Sequence, residues 1–394
     1  MSVYDPLERA ARLADTVAAS VPGLDPRWRE VIATVRRDLF LPDRVWTDTG
    51  PVDRSTDERA WWDAAYDDIA LITAMDGAPG REDWPTSSAS QPSVVAAMLD
   101  LLDPTAGPFL EIGTGTGWNA CLLRAATGHE VISVEIDPDL ARAARAECER
   151  AGIRPHIVTG DGILGHPVRA PYAAVVATCS VHVVPPAWVE QTRPGGTLLV
   201  PWTSPWVSYG IARLTRDDDG GATGPFAALG SFMPLRAAAA GYDDDPPPVD
   251  HDAPTRERVS DLVPWAAQPE EPEAAFVVGV TLPGYRFLTA RARDPQPGEW
   301  CCTLRVIDAT GANWADIDHT RDRDEGPFPV TVHGERDVWA DIEHTYDRWT
   351  VQGRPGPERF GLCVEPDGGQ HVWLDDPSGP TWPLPNAVRH SMTP

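Results

Sequence analysis

The sequence contains no lysine. All 33 of its basic residues are arginine, set against 59 aspartates and glutamates, so the formal net charge is -26. A surface this negative repels phosphate backbones at long range, which excludes nucleic-acid binding through a broad basic face. Apolar runs approaching the roughly 20 residues of a membrane helix are also missing. The first residues, MSVYDPLERAARLADT, are acidic and amphipathic and lack the basic-then-apolar pattern of a signal segment. A cytoplasmic protein with no membrane partner is expected. Cysteine is sparse. Cys121, Cys148, Cys179, Cys301, Cys302 and Cys363 form no C-x-x-C pair and no His/Cys spacing of a zinc site, so reduced thiols, no metal and no disulfide framework are expected. Nothing in the composition sets an oligomeric state.

What is present is a core and many turns. Hydrophobic residues make up 42% of 394, and proline and glycine number 41 and 33. At roughly 150 residues per domain, the length suggests two domains or one with extensions. Leu7, Ala10, Leu13, Ala14 and Val17 fall at helical spacing. Asp25-Pro26 opens a second helix through Trp28, Val31, Ile32 and Val35. From Thr47 to Pro85 the chain is polar, punctuated by Trp61, Trp62, Tyr66 and Trp84, with one strand-like run, DIALITAM; it reads as an arm or lid closing an N-terminal part, 1–85. Between 86 and 215, helix and strand signals alternate: SVVAAMLDLL, FLEIG, WNACLLRAA, EVISVEI, DLARAARAECERAG, PHIVTG, YAAVVATC, a helix near Ala187 to Gln191, and GTLLVPW. Continuous β-branched runs between amphipathic helices predict a doubly wound, Rossmann-like α/β core. The acidic, Pro/Gly-rich stretch 216–272 reads as linker. Residues 273–394 read as an α+β extension, with strands AFVVGVTLPGY and WCCTLRVID, a helix RDVWADIEHTYDRW and a hairpin turning at Pro366 to Gly369.

One constellation carries chemistry. The strand F-L-Glu111-I runs into Gly113-Thr114-Gly115-Thr-Gly117 and then a helix. Glycine allows positive φ there and lets a ligand press on the main chain beside unpaired helix-start amides. Position 118 is tryptophan where a dinucleotide fingerprint needs its last glycine, and a carboxylate ends the strand. A phosphate-free, positively charged cofactor fits better than NAD, and S-adenosylmethionine is one. Glu135, followed by Ile136 at the end of the second strand, is placed to accept ribose hydroxyls. Asp161, between Gly160 and Gly162, is placed to accept from the adenine amino group, or to form a plain turn. Asp137, before Pro138, reads as a helix cap. Together these acids and the turn predict a class I methyltransferase core.

The segments RDLFLPD at 37–43, SASQPS at 88–93, EIGTGTG at 111–117, GDG at 160–162, APYAAVVA at 170–177, VPPA at 184–187 and RPGGTLLVP at 193–201 resemble the protein-L-isoaspartate O-methyltransferase family. The resemblance spans roughly residues 25 to 205 and implies methyl transfer from S-adenosylmethionine to a peptide or protein carboxylate. It also implies that a Ser/Thr segment before the cofactor strand holds the substrate carboxyl. Here that segment is Thr86 to Ser90: Ser90 and Ser88 match as catalytic hydroxyls, with Thr86, Ser87 and Gln91 as substrate-binding neighbours. The other possibility for these hydroxyls is a helix cap for Val94 to Leu102. His182, after the fourth strand, is a further candidate for the substrate mouth, or simply a loop histidine.

The long C-terminal region is similar to a branch of that family associated with ribosomally made, modified peptides, lanthipeptides and graspetides among them. Its members methylate one aspartate of a peptide on the way to aspartimide and isoaspartate. The expected partner is then a cyclised precursor peptide. General repair of isoaspartyl residues is the alternative, and a non-catalytic peptide-binding module a third. The C-terminal tryptophans are expected either to grip substrate or to fill a core.

Overall fold

Asp5 and Asp25 each cap a helix whose first residue is proline, α1 (Pro6–Ser20) and α2 (Pro26–Thr34). The carboxylate accepts first-turn amides, and proline has no N–H to lose at that position. The structure, a computed structural model, describes residues 5–76, 84–236, 246–269, 271–294, 296, 298–320 and 326–385. After a 3-10 turn at Arg37–Phe40 come β1 (Arg44–Thr47), β2 (Gly50–Asp53), α3 (Glu58–Ala65), β3 (Leu71–Met75) and β4 (Pro85–Ala89). The four strands form an antiparallel sheet of order β2-β1-β3-β4. The stretch expected as a lid is therefore folded structure in its own right. Trp61 and Trp62 are buried on α3, and Trp84 is exposed. Residues 77–83 of that expected lid lie outside the described residues.

The alternation then follows as α4 (Pro92–Leu102), β5 (Phe109–Ile112), α5 (Trp118–Thr127), β6 (Val131–Glu135), α6 (Pro138–Arg150), β7 (His156–Thr159), β8 (Tyr172–Ala177), α7 (Pro186–Gln191) and β9 (Thr192–Pro201). The strands pair in parallel in the order β9-β8-β5-β6-β7. Every residue of β5, β6 and β8 is buried, as expected of a sheet covered on both faces. Strand order reverses at β5, and the carboxyl end of such a strand is where doubly wound sheets open a ligand crevice.

The remaining elements are β10 (Tyr209–Arg216), β11 (Ala222–Ser231), β12 (Thr255–Ser260), α8 (Pro272–Thr281), β13 (Arg286–Arg291), β14 (Trp300–Ile307), β15 (Trp314–Thr320), β16 (Phe328–His333), α9 (Val338–Val351), β17 (Phe360–Val364), β18 (Gln370–Leu374) and β19 (Thr381–Pro383). Two expectations change here. The stretch 216–272 contains β11 and β12; its RDDDGG run is the turn before β11, closed by the Asp217 amide on the Gly221 carbonyl at 2.9 Å. Residues 237–245 and 270 of that stretch lie outside the described residues. AFVVGVTLPGY, read as a strand, supplies helix α8. All of Ala274–Val280 is buried, so the run shows no polar face by which a helical period could be recognised.

The chain divides into two units. One comprises Met1–Pro201, Arg213–Ala222 and Phe232–Ala238, and the other Trp202–Ala212, Thr223–Ser231 and Ala239–Pro394. The first contains the parallel sheet. The second contains a five-stranded antiparallel sheet, β12-β16-β15-β14-β13, and the hairpin β17–β18. Its core includes an edge-to-face cluster of Trp202, Phe226, Phe276 and Phe360. Trp206, Trp314, Trp339, Trp349 and Trp373 are buried too, whereas Trp300 is exposed. Most tryptophans of this region thus serve packing. No helix among the described residues is long and apolar enough to cross a membrane.

Candidate functional site

The carboxyl end of β5 becomes a turn in which Gly113, Gly115 and Gly117 all have positive φ, +91°, +51° and +87°. A side chain at Gly113 would meet the Thr178 Oγ1 at 2.7 Å, so the main chain there lies hard against the end of β8. Glu135, 5% exposed, reaches into the turn from β6: its Oε2 accepts the Gly115 amide at 2.9 Å, and its Oε1 accepts the Asp137 amide at 3.1 Å. Glu111 lies beneath and is fully buried. Its carboxylate accepts from Asn119 Nδ2 at 2.6 Å and from the Ser133 hydroxyl, which itself lies 2.6 Å from the buried Thr114 Oγ1. Burial pushes the Glu111 carboxyl up to about 7, against the Ser133 and Asn119 hydrogen bonds, and the Glu135 charge adds to the rise. Two acids around one amide-lined turn disfavour a pyrophosphate and suit a cationic, phosphate-free nucleoside.

The hydroxyl segment comes to the same place. Thr86 to Ala89 lie in β4, and a Cβ built on Gly115 would stand 3.6 Å from the Ser88 carbonyl oxygen and 3.8 Å from Ser87 Oγ. Thr73 donates to Ser87 Oγ at 3.1 Å. Neither Ser88 nor Ser90 caps the following helix: the cap residue of α4 is Gln91, with no side-chain cap bond. Asp68 instead holds that helix start, accepting from the Ser93 amide at 2.8 Å and from Gln91 Nε2 at 3.3 Å. Asp137 does cap α6, through the Asp139 and Leu140 amides.

On the far side, Asp161 Oδ1 accepts the Ile163 amide at 2.9 Å, which is the turn role weighed from the sequence. Gly160 donates its amide to the Glu135 carbonyl at 2.9 Å, and Gly162 gives its carbonyl to Trp188 Nε1 at 2.8 Å. A side chain on Gly162 would collide with Ile112 at 2.7 Å. Ile136 is 38% exposed beside Glu135. His182 is half-buried in the turn after β8 that Val181 ties to the Pro201 carbonyl at 3.0 Å.

Two residues were missed. Arg37 stands inside the RDLFLPD segment, yet its role is visible only in three dimensions. It is 1% exposed and its guanidinium donates to the carbonyls of Asp67 and Ile69 at 3.0 Å each, Ser90 at 3.2 Å, and Ala65 and Ala89 at 3.4 Å. Burial lowers it to about 10, so it stays charged at neutral pH. Arg236 is the other. It pairs with Glu135 Oε1 at 3.3 Å and Asp137 Oδ2 at 3.4 Å, carried on a segment whose Leu235 amide bonds the Ser180 carbonyl at 2.9 Å. No local signal announces a partner 101 residues away.

A family model described as Protein-L-isoaspartate(D-aspartate) O-methyltransferase matches residues 27–238. A protein-L-isoaspartate O-methyltransferase of Methanospirillum hungatei is 33% identical over 54% of this chain and 85% of its own. One of Pyrococcus horikoshii is 38% identical over 33% of this chain. The match spans only 60% of that relative's length. A solved structure titled protein-L-isoaspartate O-methyltransferase is similar with a TM-score of 0.51 and 21% identity, covering 93% of this chain and 99% of that one. This likeness of fold therefore runs past residue 238 and takes in most of the C-terminal region. By its sequence over more than half its length, the chain belongs to the protein-L-isoaspartate(D-aspartate) O-methyltransferase family.

Proposed function

We propose that the chain is an S-adenosylmethionine-dependent carboxyl O-methyltransferase acting on isoaspartyl residues of proteins and peptides. The observation that supports this reading is Gly115: its amide is held by Glu135, and a side chain there would stand 3.6 Å from the Ser88 carbonyl oxygen and 3.8 Å from Ser87 Oγ. The glycine turn and the serine segment thus meet at one residue, as a cofactor site beside a carboxyl-holding segment requires. When bound, the cofactor supplies an electrophilic methyl on a positively charged sulfur.

The chain's own work is positioning. A substrate carboxylate, with a reference pKa near 4, is already ionised at neutral pH, so no general base is required. Ser88 and Ser90, with Thr86, Ser87 and Gln91 beside them, would hold it by donating hydroxyl and amide hydrogens. Glu135 would take the ribose hydroxyls, Asp161 the adenine side, and the Gly113 to Gly117 main chain would lie against the cofactor. Glu111 supports the turn from below, and Arg37 fixes the carbonyls of Ala89 and Ser90 that shape the holding segment. Holding two reactants in line removes roughly 7 to 11 kcal/mol of barrier. In the ester product, the next backbone nitrogen attacks the carbonyl carbon. Methanol leaves with the amide proton, and a succinimide forms.

Family membership supports isoaspartyl substrates. The long C-terminal region is no argument for the peptide-biosynthesis branch by itself, because a solved protein titled protein-L-isoaspartate O-methyltransferase shares the fold over 93% of this chain. A cyclised precursor peptide remains the competing substrate. Intact-mass analysis of the full-length chain with cofactor and three peptides, an isoaspartyl peptide, its aspartyl twin and a cyclised acidic precursor, tests the choice. Methyl gain on the isoaspartyl peptide alone is expected. Gain on the precursor alone would replace the substrate assignment, and no gain anywhere despite cofactor binding would leave a binding module.

A further inference from the structure

Consecutive residues of a β-strand point to opposite faces, so neighbouring cysteines in a strand do not ordinarily share a site. Strand β14 breaks this rule. Its register against β15 shifts between Trp300 and Cys302: Trp300 faces Thr320, Cys302 faces His319, and Cys301 is the extra residue of the irregularity. Such a bulge re-aims one side chain. The two sulfurs come to 3.9 Å from each other, and Cys301 Sγ lies 2.8 Å from His319 Nδ1. All three donor atoms fall within 4.8 Å of one another.

We infer that Cys301, Cys302 and His319 form a binding site for a thiophilic divalent cation of the zinc class, unrelated to methyl transfer. Two sulfurs bound at about 2.3 Å with tetrahedral angles stand about 3.8 Å apart, close to the 3.9 Å of this pair, and the 2.8 Å thiol–imidazole contact opens to about 3.6 Å when both atoms bind the cation. The donor set, two sulfurs and one imidazole nitrogen, suits zinc and disfavours calcium or magnesium, which demand oxygen. His319 is 7% exposed and its ring is held edge-on to Trp265 at 4.5 Å and beside Phe328 at 5.9 Å, so one ligand is oriented in advance. Both cysteines are only half-buried, leaving a path from solvent and a fourth position for water or an added ligand. Binding joins two sulfurs to the cation as two protons leave for solvent; no electrons move. A second grouping, Cys363, Glu365 and His371, offers one thiol and fits less well.

The test uses the full-length, reduced, metal-stripped protein and cobalt(II) as probe. Thiolate-to-cobalt charge-transfer absorption saturating at one equivalent, with about two protons released per cobalt and the colour erased by zinc, is expected. The Cys301→Ser, Cys302→Ser double variant should lose the absorption, His319→Gln should weaken binding at least tenfold, and Cys363→Ser should leave both unchanged. Zinc should also shield Cys301 and Cys302 of the wild-type chain from alkylation, a readout that needs no variant to fold. Absence of the absorption, its survival in the double variant, its loss in Cys363→Ser, or unprotected thiols would each overturn the site.

Discussion

Glu111 makes stability depend on pH in a way that isolates one side chain. Its folded-state value, raised to about 7, lies above the ordinary value near 4.5, so its contribution is fully present below about pH 4.5 and is lost as pH rises to about 7. Glu111→Gln keeps the volume and can still accept from Asn119, while Ser133 turns its own hydrogen towards Thr114. Denaturation midpoints of wild type and variant at pH 5 and pH 8 should therefore diverge. The wild type loses on the order of 3 kcal/mol relative to the variant across that interval, and a constant gap would sink the account. The glycines separate in a similar way. Gly113→Ala must occupy φ +91° and meet Thr178 at 2.7 Å, whereas Gly115→Ala meets nothing nearer than 3.6 Å at φ +51°. Gly115→Ala should cost about 1 kcal/mol in stability yet weaken cofactor binding at least tenfold by calorimetry. Gly113→Ala should unfold at a clearly lower temperature. At this scale the sequence was readable wherever geometry is local: Asp-Pro pairs gave the caps, and the glycine turn gave positive φ. Arg236 was not readable, because its partners are set by folding rather than by neighbours.

Among the elements, the assembly around Arg37 is the clearest case of a side chain organising backbone. Its five carbonyl acceptors come from three places: the end of α3, the loop before β3, and the end of β4. Arg37→Met would leave these acceptors buried without their donor, a loss of about 3 to 5 kcal/mol, and Arg37→Lys should recover less than half, since an ammonium cannot span the same fork of acceptors. Hydrogen exchange at residues 85–91 should accelerate in both variants; unchanged exchange there would remove Arg37 from its positioning role. Elements with one wet face were legible, as the stripes of α1 and the hairpin at Gly368 illustrate. Those buried all round were not: α8 shows no polar side, so its apolar run passed for a strand. The serine segment, read from the sequence as substrate-holding or as a helix cap, lies for the most part in strand β4, because its pairing with β3 is a tertiary fact that hydroxyl-rich composition hides.

For the molecule as a whole, a net charge of -26 would act on every encounter with the carboxylate-bearing substrate proposed above. Raising ionic strength from about 0.01 M to 0.15 M shortens the screening length from about 30 Å to 8 Å. KM for an acidic isoaspartyl peptide should fall over that range while KM for a basic one rises; parallel responses would show that the global field is irrelevant to capture. The division of the chain into two interleaved units was not legible, since it depends on strands that neighbour one another only after folding. It also has a temporal consequence. Because the unit that holds the parallel sheet includes Arg213–Ala222 and Phe232–Ala238, it cannot be completed until those residues have left the ribosome. Meanwhile Trp202–Ala212 and Thr223–Ser231, already synthesised, wait for more than a hundred further residues before β17 arrives. Translation speed through that interval sets how long their apolar side chains stay exposed to chaperones.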